Sequence, residues 1–353
     1  TQQAIVTANN VTLNLTDNVR NSGDVYAKNN AVLTAQTLNN DAGNLSAGNK
    51  VDIKAHNNIS NHAGNVTANN HVSIKGADLN NTSGQIGSSN GNVTLALSGD
   101  LRNDTDAAVV DKNNHAIKGT VAAANGVADI KASNVSNKGG VIHAQDTRIN
   151  TGKLSNHQGE ISTKRDILLT ADSLDSQAGT IFAENTLTAA VRNALSNTQG
   201  SHLGGKGAVN IQAGSVDNSG GNLYSVNNVL GLHSSGAINN ADGYVAAARD
   251  LNLSAASLSN QRLDASKKQA IITADNVILD ITGAMQNSGD VYAKGNADVN
   301  AQTLNNDKGN LSAEKTLAVT VKTDLSNQEG SLTASGNATI AGRNLDNTAG
   351  QIG

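Results

Sequence analysis

The sequence predicts an all-β fold, a parallel β-helix (solenoid) of about 16 coils of 19–22 residues. Three observations predict it. Large side chains are scarce, a glycine-centred unit recurs along the whole chain, and within each unit apolar residues alternate strictly with polar ones. Such units cannot bury their apolar faces alone, so neighbouring coils must stack to complete the core.

The composition favours a narrow, ordered core. The chain contains 4 Tyr, 1 Phe, 1 Met and no Trp, so its apolar fraction of 37% is mainly Ala, Val, Leu and Ile. Proline, which would remove a hydrogen bond from a central strand, is absent. A disordered chain normally carries proline and lacks periodic Val, Ile and Leu pairs. Regular coils are therefore predicted.

The charge pattern excludes several kinds of partner. The net charge is −4 and no Lys/Arg run occurs, so we expect no nucleic-acid binding. No apolar stretch approaches the ~20 residues of a transmembrane helix, and no signal peptide is recognised at Thr1. Disulfides and thiolate metal sites are excluded because Cys is absent, and no cofactor is expected.

The segment Asn40–Ala55 shows the repeating unit. Its alternation predicts two short strands joined by a Gly-Asn turn. The residues expected to point inward are Leu45, Ala47, Val51, Ile53, Ala55 and, in the same coil, Ile59; those expected outward are Ser46, Asp52 and Lys54.

The glycine of the N-x-x-G-x-[LIV]-x-A pattern is the anchor of each unit. We expect it to have positive φ or to lie where a Cβ would strike the neighbouring coil. Spacings between regular neighbours are 19 to 22 residues. The anchors are Gly23, Gly43, Gly64, Gly84, Gly140, Gly159, Gly179, Gly200, Gly221, Gly243, Gly289, Gly309, Gly330 and Gly350.

Two longer gaps separate these anchors. Between Gly84 and Gly140 the pattern indicates Asp106 as the stand-in, followed by an insertion near Asp111–Gly119. In the irregular coil near residues 260–270, Leu263 is the expected stand-in, with a small insertion at Ser266–Gln269.

A longer periodicity lies over the short one. Asn21–Ala47 matches Asn287–Ala313 at 22 of 27 positions, so residues 267–353 duplicate residues 1–87. We interpret residues 1–353 as a single β-helix array and expect it to be an internal fragment of a larger protein. The Asn-Asn pairs suit turns, and their amides could stack in ladders where they recur at one corner; the pairs are Asn39–Asn40, Asn57–Asn58, Asn80–Asn81 and Asn305–Asn306.

Two other architectures have similar periods. Leucine-rich repeats need a helix or tight coil after each strand, and these units show no helical period. Calcium-binding nonapeptide arrays need a G-G-x-G-x-D-x-U-x pattern, which is absent.

The units GNLSA…VDIKA and GNVTA…VSIKG resemble the hemagglutinin repeats of filamentous hemagglutinin and of contact-dependent growth inhibition exoproteins. The resemblance covers nearly the whole chain. It implies a right-handed β-helix, secreted by a two-partner outer-membrane transporter and extended at the bacterial cell surface. It also implies a filament segment that displays distal adhesive or toxin-delivery modules, a trait linked to virulence, and a target or host cell surface as the partner of those modules.

Candidate sites are weak by comparison. The eight histidines, His56, His62, His71, His115, His143, His157, His202 and His233, do not recur at one position in adjacent coils, so a metal site is not expected. No Ser/His/Asp arrangement stands out. We therefore expect no catalytic, cofactor-binding or metal residues, and not an enzyme.

Two alternatives stay open. The segment itself could adhere to a glycan or protein through Asp111–Gly119 or an exposed face, because loops often carry function. More remotely, it could be a polysaccharide-acting β-helix enzyme. Against this, the carboxylates Asp17, Asp41, Asp52 and Asp78 are scattered, and the aromatic residues Tyr26, Phe182, Tyr224, Tyr244 and Tyr292 form no expected platform.

Overall fold

The computed structural model describes residues 4–263, 266 and 270–353. These residues form strands, turns and loops, and none of them lies in a helix. The chain divides into two compact units: Thr1–Asp175 with Gly179–Ile181, and Ser176–Ala178 with Phe182–Gly353. Both units are built from the same kind of coil.

The first unit contains the strands up to Asp175. They are β1 Ile5–Ala8, β2 Val11–Asn14, β3 Val19–Arg20, β4 Asp24–Ala27, β5 Asn30–Ala35, β6 Leu38–Asn39, β7 Asn44–Ala47, β8 Lys50–Ala55, β9 Ile59–Ser60, β10 Asn65–Ala68, β11 His71–Gly76, β12 Leu79–Asn80, β13 Gln85–Ser88, β14 Val93–Leu97, β15 Leu101–Arg102, β16 Thr120–Ser136, β17 Val141–Ser155, β18 Glu160–Thr163 and β19 Ile167–Asp175.

The remaining strands begin with β20, whose first two residues belong to the first unit, and the strands after it lie in the second unit. They are β20 Thr180–Ala183, β21 Leu187–Ser196, β22 His202–Gly205, β23 Val209–Asp217, β24 Asn222–Ser225, β25 Leu230–Ser234, β26 Ala237–Asn239, β27 Tyr244–Ala247, β28 Asp250–Ala255, β29 Ser257–Asn260, β30 Ile271–Ala274, β31 Asn276–Ile281, β32 Ala284–Asn287, β33 Asp290–Ala293, β34 Asn296–Ala301, β35 Thr303–Asn305, β36 Asn310–Ala313, β37 Thr316–Val321, β38 Asp324–Ser326, β39 Ser331–Ala334, β40 Asn337–Ala341, β41 Asn344–Asp346 and β42 Gln351–Ile352.

One coil has three strands, which we call A, B and C. In the coil that begins at Asn44, the A strand is β7, the turn Gly48–Asn49 follows, and the B strand is β8. The predicted pair of strands and its Gly-Asn turn are confirmed. The C strand, β9, is an addition; its two residues are too few to show an alternating pattern.

Each strand pairs in parallel with the corresponding strand of the next coil. Val25 lies opposite Leu45 and Leu45 opposite Val66, while in the second unit Leu311 lies opposite Leu332. Among the described residues the one antiparallel contact is an isolated bridge, Val110 to Ala116, in a loop. With eight A strands in the first unit and nine in the second, the parallel β-helix has about 17 turns, close to the expected 16 and consistent with a right-handed solenoid.

The core contains the residues that the alternation assigned to it. Val51 and Ile53 are completely inaccessible, and Leu45, Ala47, Ala55 and Ile59 are buried as well. Ser46, Asp52 and Lys54 point outward, as expected. The inward columns hold Val, Leu, Ile and Ala from successive coils, so each coil buries its apolar side chains only against its neighbours.

The anchor glycine is required for space. A Cβ on Gly64 would lie 2.2 Å from the carbonyl oxygen of Asn40 in the preceding coil, and one on Gly140 would lie 1.8 Å from that of Asn103. In many coils positive φ is found instead at the residue before the glycine, as at Ala42 (54°) and Ala63 (52°). The expectation offered two alternatives, and close approach is the one confirmed at these glycines; of the predicted anchors, Gly200 has positive φ (76°).

Three anchor assignments are wrong. They are based on residue spacing in the sequence, whereas the anchor of a coil is identified by the register of its paired strands. Thr120 pairs with Gln85 and Val141, which makes Gly119, not Asp106, the anchor of its coil. Ile271 pairs with Tyr244, so Ala270 replaces the exposed Leu263. His202 pairs with Asn222, so Ser201 replaces Gly200.

In the two of these coils that are fully described, the extra residues lie in the turn between the C strand and the anchor. In the first unit this turn is replaced by a longer loop between Asn103 and Gly119. In the coil of Asn260 the expected insertion at Ser266–Gln269 falls mostly on residues 267–269, which, like residues 264–265, lie outside the described residues. A turn that bulges outward leaves the stacked strands in register, which explains why this corner accepts additional residues.

Candidate functional site

A column of buried asparagine side chains runs along the inside of the first unit, one per coil. We call it the amide ladder. From Asn21 to Asn137, each side-chain Nδ2 donates to the Oδ1 of the asparagine in the next coil, at 2.7 or 2.8 Å. Its members in this unit are Asn21, Asn40, Asn61, Asn81, Asn103, Asn137 and Asn156.

Most ladder asparagines, such as Asn40, Asn61 and Asn81, also donate to backbone carbonyls of two coils. Asn40 Nδ2 lies 3.1 Å from the oxygen of Gly43, 2.7 Å from Asn61 Oδ1 and 3.2 Å from the oxygen of Asn65. Asn40 is wholly inaccessible to solvent, so these bonds satisfy an amide that would otherwise be costly to bury. The ladder thereby ties the turn of one coil to the A strand of the next.

The expected stacking of Asn-Asn pairs is right for three of the four pairs. In Asn39–Asn40 the second residue is in the ladder, while Asn39 Oδ1 accepts a hydrogen bond from the amide of Asp41, at 3.0 Å. Asn80–Asn81 and Asn305–Asn306 behave alike. Asn57–Asn58 is exposed, lies between the B and C strands and takes no part in the ladder.

The second unit has its own ladder with one substitution. Its rungs are Asn197, Asn218, Asn240, Asn260, Asn287, Asn306, Asn327 and Asn347, joined at 2.6 to 2.8 Å. Ser176 occupies the ladder position of the coil before Asn197. Ser201 Oγ lies 2.7 Å from Asn197 Oδ1 and 3.2 Å from Ser176 Oγ.

The loop between Asn103 and Gly119 is the largest departure from the regular coil. The bridge between Val110 and Ala116 closes its tip, and Asp111 Oδ1 accepts hydrogen bonds from the amides of Asn113 and His115. Its base is attached to the preceding coil, where the amide of Asp106 donates to Ser83 Oγ at 2.9 Å. Most of its side chains are exposed, so the loop offers a contact surface without a cavity.

Three histidines of the first unit contact carboxylates. His157 Nε2 lies 2.7 Å from Asp175 Oδ2, and His62 and His115 lie 3.5 and 3.7 Å from Asp106 and Asp111. These are single pairs. Across the described residues no group of three or more His, Cys, Asp or Glu side chains is placed to hold a metal ion.

The scattered carboxylates have structural partners. Asp41 Oδ1 accepts hydrogen bonds from Ser60 Oγ and the amide of His62, and Asp78 Oδ1 from the amide of Asp100. Asp52 lies 3.7 Å from both Lys50 and Lys54. Asp41 and Asp78 therefore accept hydrogen bonds from the next coil, whereas Asp52 pairs with two lysines of its own strand.

On the B strands of the second unit, His, Ser and Asp side chains occupy the same outward position in successive coils. His233 Nδ1 is hydrogen-bonded to Ser254 Oγ, and Asp280 occupies the same column one coil further on. With Gln212 they line an open depression of about 280 Å³, because Gly231 leaves a gap. Ser254 stands between the imidazole and the carboxylate, so Asp280 does not orient His233 as a catalytic triad requires.

Aromatic side chains do come together, contrary to the expectation from the sequence. The ring centroids of Phe182 and Tyr224 are 6.2 Å apart, and the imidazole of His202 meets the Tyr224 ring edge-on at 6.1 Å. Burial raises the pKa of the Tyr224 phenol, so this hydroxyl is protonated at neutral pH. Tyr26 and Tyr292 lie on other coils, without aromatic neighbours among the described residues.

The comparisons with known proteins agree with this anatomy. The sequence matches the Haemagglutinin repeat family over residues 6–63, 49–104, 113–189, 182–241, 232–289 and 279–353. The short stretch between the second and third matches lies in the loop between Asn103 and Gly119. No curated protein and no solved structure matches the chain.

The structure adds one negative finding on membranes. Within the described residues there is no helix long and apolar enough to cross a bilayer.

The family matches cover nearly all of the coils described above, and the matched repeats coincide with stacked parallel coils. The chain therefore belongs to the Haemagglutinin repeat family of filamentous hemagglutinin type.

Proposed function

We propose that this chain is a rigid filament segment of a secreted bacterial surface protein, which holds distal adhesive or toxin-delivery modules away from the cell. The observation that carries the proposal is the amide ladder, which repeats one set of hydrogen bonds from coil to coil. A scaffold needs such uniformity, whereas an active site needs one coil to differ from the others.

The mechanism is geometric. Strands of neighbouring coils are about 4.8 Å apart, so each added coil lengthens a unit by a fixed increment. Each coil is stabilised mainly by its two neighbours, so coils can be added or lost without rebuilding a common core. Family membership supports export through a two-partner outer-membrane transporter and a place at the cell surface.

The test compares two deletions in the full-length protein, produced by the bacterium that makes it. Deleting Asn44–Gly64 removes one whole coil and joins Gly43 to Asn65, which pairs in register with Asn44 in the intact protein. Deleting Asn44–Lys54 removes about half a coil and turns inward residues outward. We expect only the whole-coil variant to be exported and to resist protease on intact cells.

Two outcomes would overturn the proposal. If both variants were exported and protected equally, stacked coils would not determine the structure of the segment. If antibodies to the segment failed to label intact cells that produce the unmodified protein, the surface location would be wrong.

Adhesion by the loop between Asn103 and Gly119 remains the second candidate, because the loop is exposed and interrupts the uniform coils. Its test is cell binding by the purified chain with and without Thr105–Lys118. Loss of binding with an unchanged unfolding midpoint would support a receptor-binding loop. Equal binding would assign the loop to tolerated insertions.

A further inference from the structure

Aromatic residues are concentrated on one face of the second unit. The chain has 4 Tyr and 1 Phe, and Phe182, Tyr224 and Tyr244 fall within four consecutive A strands, β20, β22, β24 and β27. Their side chains point outward, since the inward positions of these strands hold residues such as Leu203 and Leu223. Packing in the hydrophobic core therefore does not explain why these aromatic residues occur together.

A glycine brings two of the rings together. Gly204 lies opposite Tyr224, and a Cβ on Gly204 would come within 3.0 Å of Cδ2 and Cε2 of the Tyr224 ring. The ring therefore leans across Gly204 towards Phe182, with a centroid distance of 6.2 Å and an interplanar angle of 36°. Two coils would otherwise separate these rings by about 9.6 Å. We call Phe182, His202 and Tyr224 the aromatic platform.

The surroundings of the platform are polar but uncharged. No Asp, Glu, Lys or Arg occurs in the four A strands Thr180–Ala183, His202–Gly205, Asn222–Ser225 and Tyr244–Ala247. The nearest turns carry Lys206 and Glu184, which form an ion pair with each other. The two charged side chains beside the platform therefore neutralise each other, and the A strands that carry the platform have no Asp, Glu, Lys or Arg.

Hydrogen-bonding groups stand at its rim. The Tyr224 hydroxyl makes no hydrogen bond within the described part of the chain. Asn222 precedes it by two residues on the same face and uses its Nδ2 for the carbonyl of Ser201, at 3.3 Å, so its Oδ1 is the amide's acceptor for a ligand.

We propose that the aromatic platform binds a neutral pyranose residue of a glycan. The electron-rich faces of aromatic rings attract the slightly positive C–H faces of a sugar ring. A hydroxyl and an amide at the rim can then fix the sugar's orientation through hydrogen bonds, as in other small-molecule sites. Because the A strands of the platform carry no Lys or Arg and Lys206 beside them is paired with Glu184, we expect neutral glycans to be preferred over sulfated or carboxylated ones.

This inference goes beyond the filament role, because it gives the segment a contact site of its own. Its dimensions suit one or two sugar rings, since the centroids of the two aromatic rings lie 6.2 Å apart. A single site of this size binds weakly, with a Kd on the order of 1 mM. Identical filaments displayed side by side would increase the avidity.

The test uses the purified 353-residue chain and four defined hexasaccharides. Cellohexaose, maltohexaose and chitohexaose are the neutral probes, and a heparin hexasaccharide is the anionic one. Binding is followed by calorimetry and by NMR of labelled tyrosine and phenylalanine rings, which give few signals because the chain has so few of them. We expect at least one neutral probe to saturate and to shift the Phe182 and Tyr224 signals.

Variants then assign the site. Phe182→Ala and Tyr224→Ala should each raise the Kd about tenfold, whereas Tyr224→Phe, which keeps the ring, should lose less. The matched control is Tyr292→Ala, at the equivalent outward position of β33, where the hydroxyl donates to Glu314. It should leave affinity unchanged, and urea midpoints should show that all variants fold.

Three results would overturn the inference: no saturation by any neutral probe up to about 10 mM, an equal loss in Tyr292→Ala, or preferential binding of the heparin probe. None of these results changes the outcome of the coil-deletion test. The glycan-binding proposal and the filament proposal can therefore be refuted independently of each other.

Discussion

Ser201 Oγ lies 2.7 Å from Asn197 Oδ1, and this contact repairs the one break in the amide ladder of the second unit. An asparagine in the preceding coil would donate to that oxygen, but the ladder position there is Ser176. Because a hydroxyl has one proton and Oδ1 is only an acceptor, Ser201 donates to Asn197. A hydroxyl at the anchor position thus replaces an amide missing from the ladder.

The first prediction concerns this repair. Ser201→Ala leaves the buried Oδ1 of Asn197 without its donor and should lower the free energy of unfolding by about 1–3 kcal/mol. In a Ser176→Asn background the new amide can donate to Asn197, so the same substitution should cost less. Urea unfolding of the two single variants and the double variant gives the coupling energy. Strictly additive effects would show that Ser201 has no role in the ladder.

The second prediction separates the anchor glycine from the residue before it. Gly64→Ala places a Cβ about 2.2 Å from the carbonyl oxygen of Asn40 and should cost about 3 kcal/mol. Ala63→Gly should be neutral or stabilising by up to about 1 kcal/mol, since it removes left-handed strain at φ 52° but adds chain entropy in the unfolded state. Urea midpoints check both. The reverse ranking would refute the assignment of the two roles.

The third prediction concerns the loop between Asn103 and Gly119. Replacing Thr105–Lys118 by a single Ala creates Asn-Asp-Ala-Gly, the turn found at Asn40–Gly43. Asp104 is kept because its Oδ1 accepts hydrogen bonds from Ser136 Oγ, at 2.6 Å, and from the amide of Lys138. The unfolding midpoint should stay close to that of the unmodified chain, because no core residue is removed. A loss as large as that of Gly64→Ala would show that the loop supports the coils.

The fourth prediction is a pH dependence. The hydrogen bond from Arg165 holds the pKa of Asp146 below its ordinary value, despite an opposing effect of burial. The carboxylate therefore stabilises the fold above the unfolded pKa of about 3.9, and this contribution disappears as the pH falls through the lowered folded value. Asp146→Asn should lower the urea midpoint slightly at pH 7 and not at about pH 2.

The matched control is Asp129→Asn, which removes the same charge from an exposed position on β16. It should leave the midpoint at pH 7 nearly unchanged. A deficit in Asp146→Asn that persists undiminished in acid would contradict the proposed ion pair.

Alternation predicted the inward columns because side chains of a strand point to opposite faces with period two, whatever the surrounding coil. The C strands were not predicted, because strands such as Leu38–Asn39 have only two residues and so show no alternating pattern. Left-handed turn residues were also hidden, since the position before the anchor varies in type: Ala42, Ser83 and Glu329 all have positive φ.

The aromatic platform was missed for one specific reason. Taking Gly200 as the anchor places Leu203, not Gly204, in the column of Phe182 and Tyr224. With Ser201 as the anchor, the sequence itself aligns Phe182, Gly204 and Tyr224 at the third A-strand position of three successive coils. Spacing within a single coil cannot reveal an extra turn residue, whereas pairing between coils does.

The stacking of one coil on the next is tested most directly by a distance within the first unit. The chain has no cysteine, so spin labels on Tyr26→Cys and Ser162→Cys occupy unique sites in one outward column. Six coil steps separate them through Ser46, Thr67, Gly87, Ala122 and His143, about 29 Å. Deleting Asn44–Gly64 should shorten the distance measured by pulsed electron paramagnetic resonance by about 4.8 Å, with an equally narrow distribution. An unchanged distance, or a broad distribution after the deletion, would contradict coil-on-coil stacking.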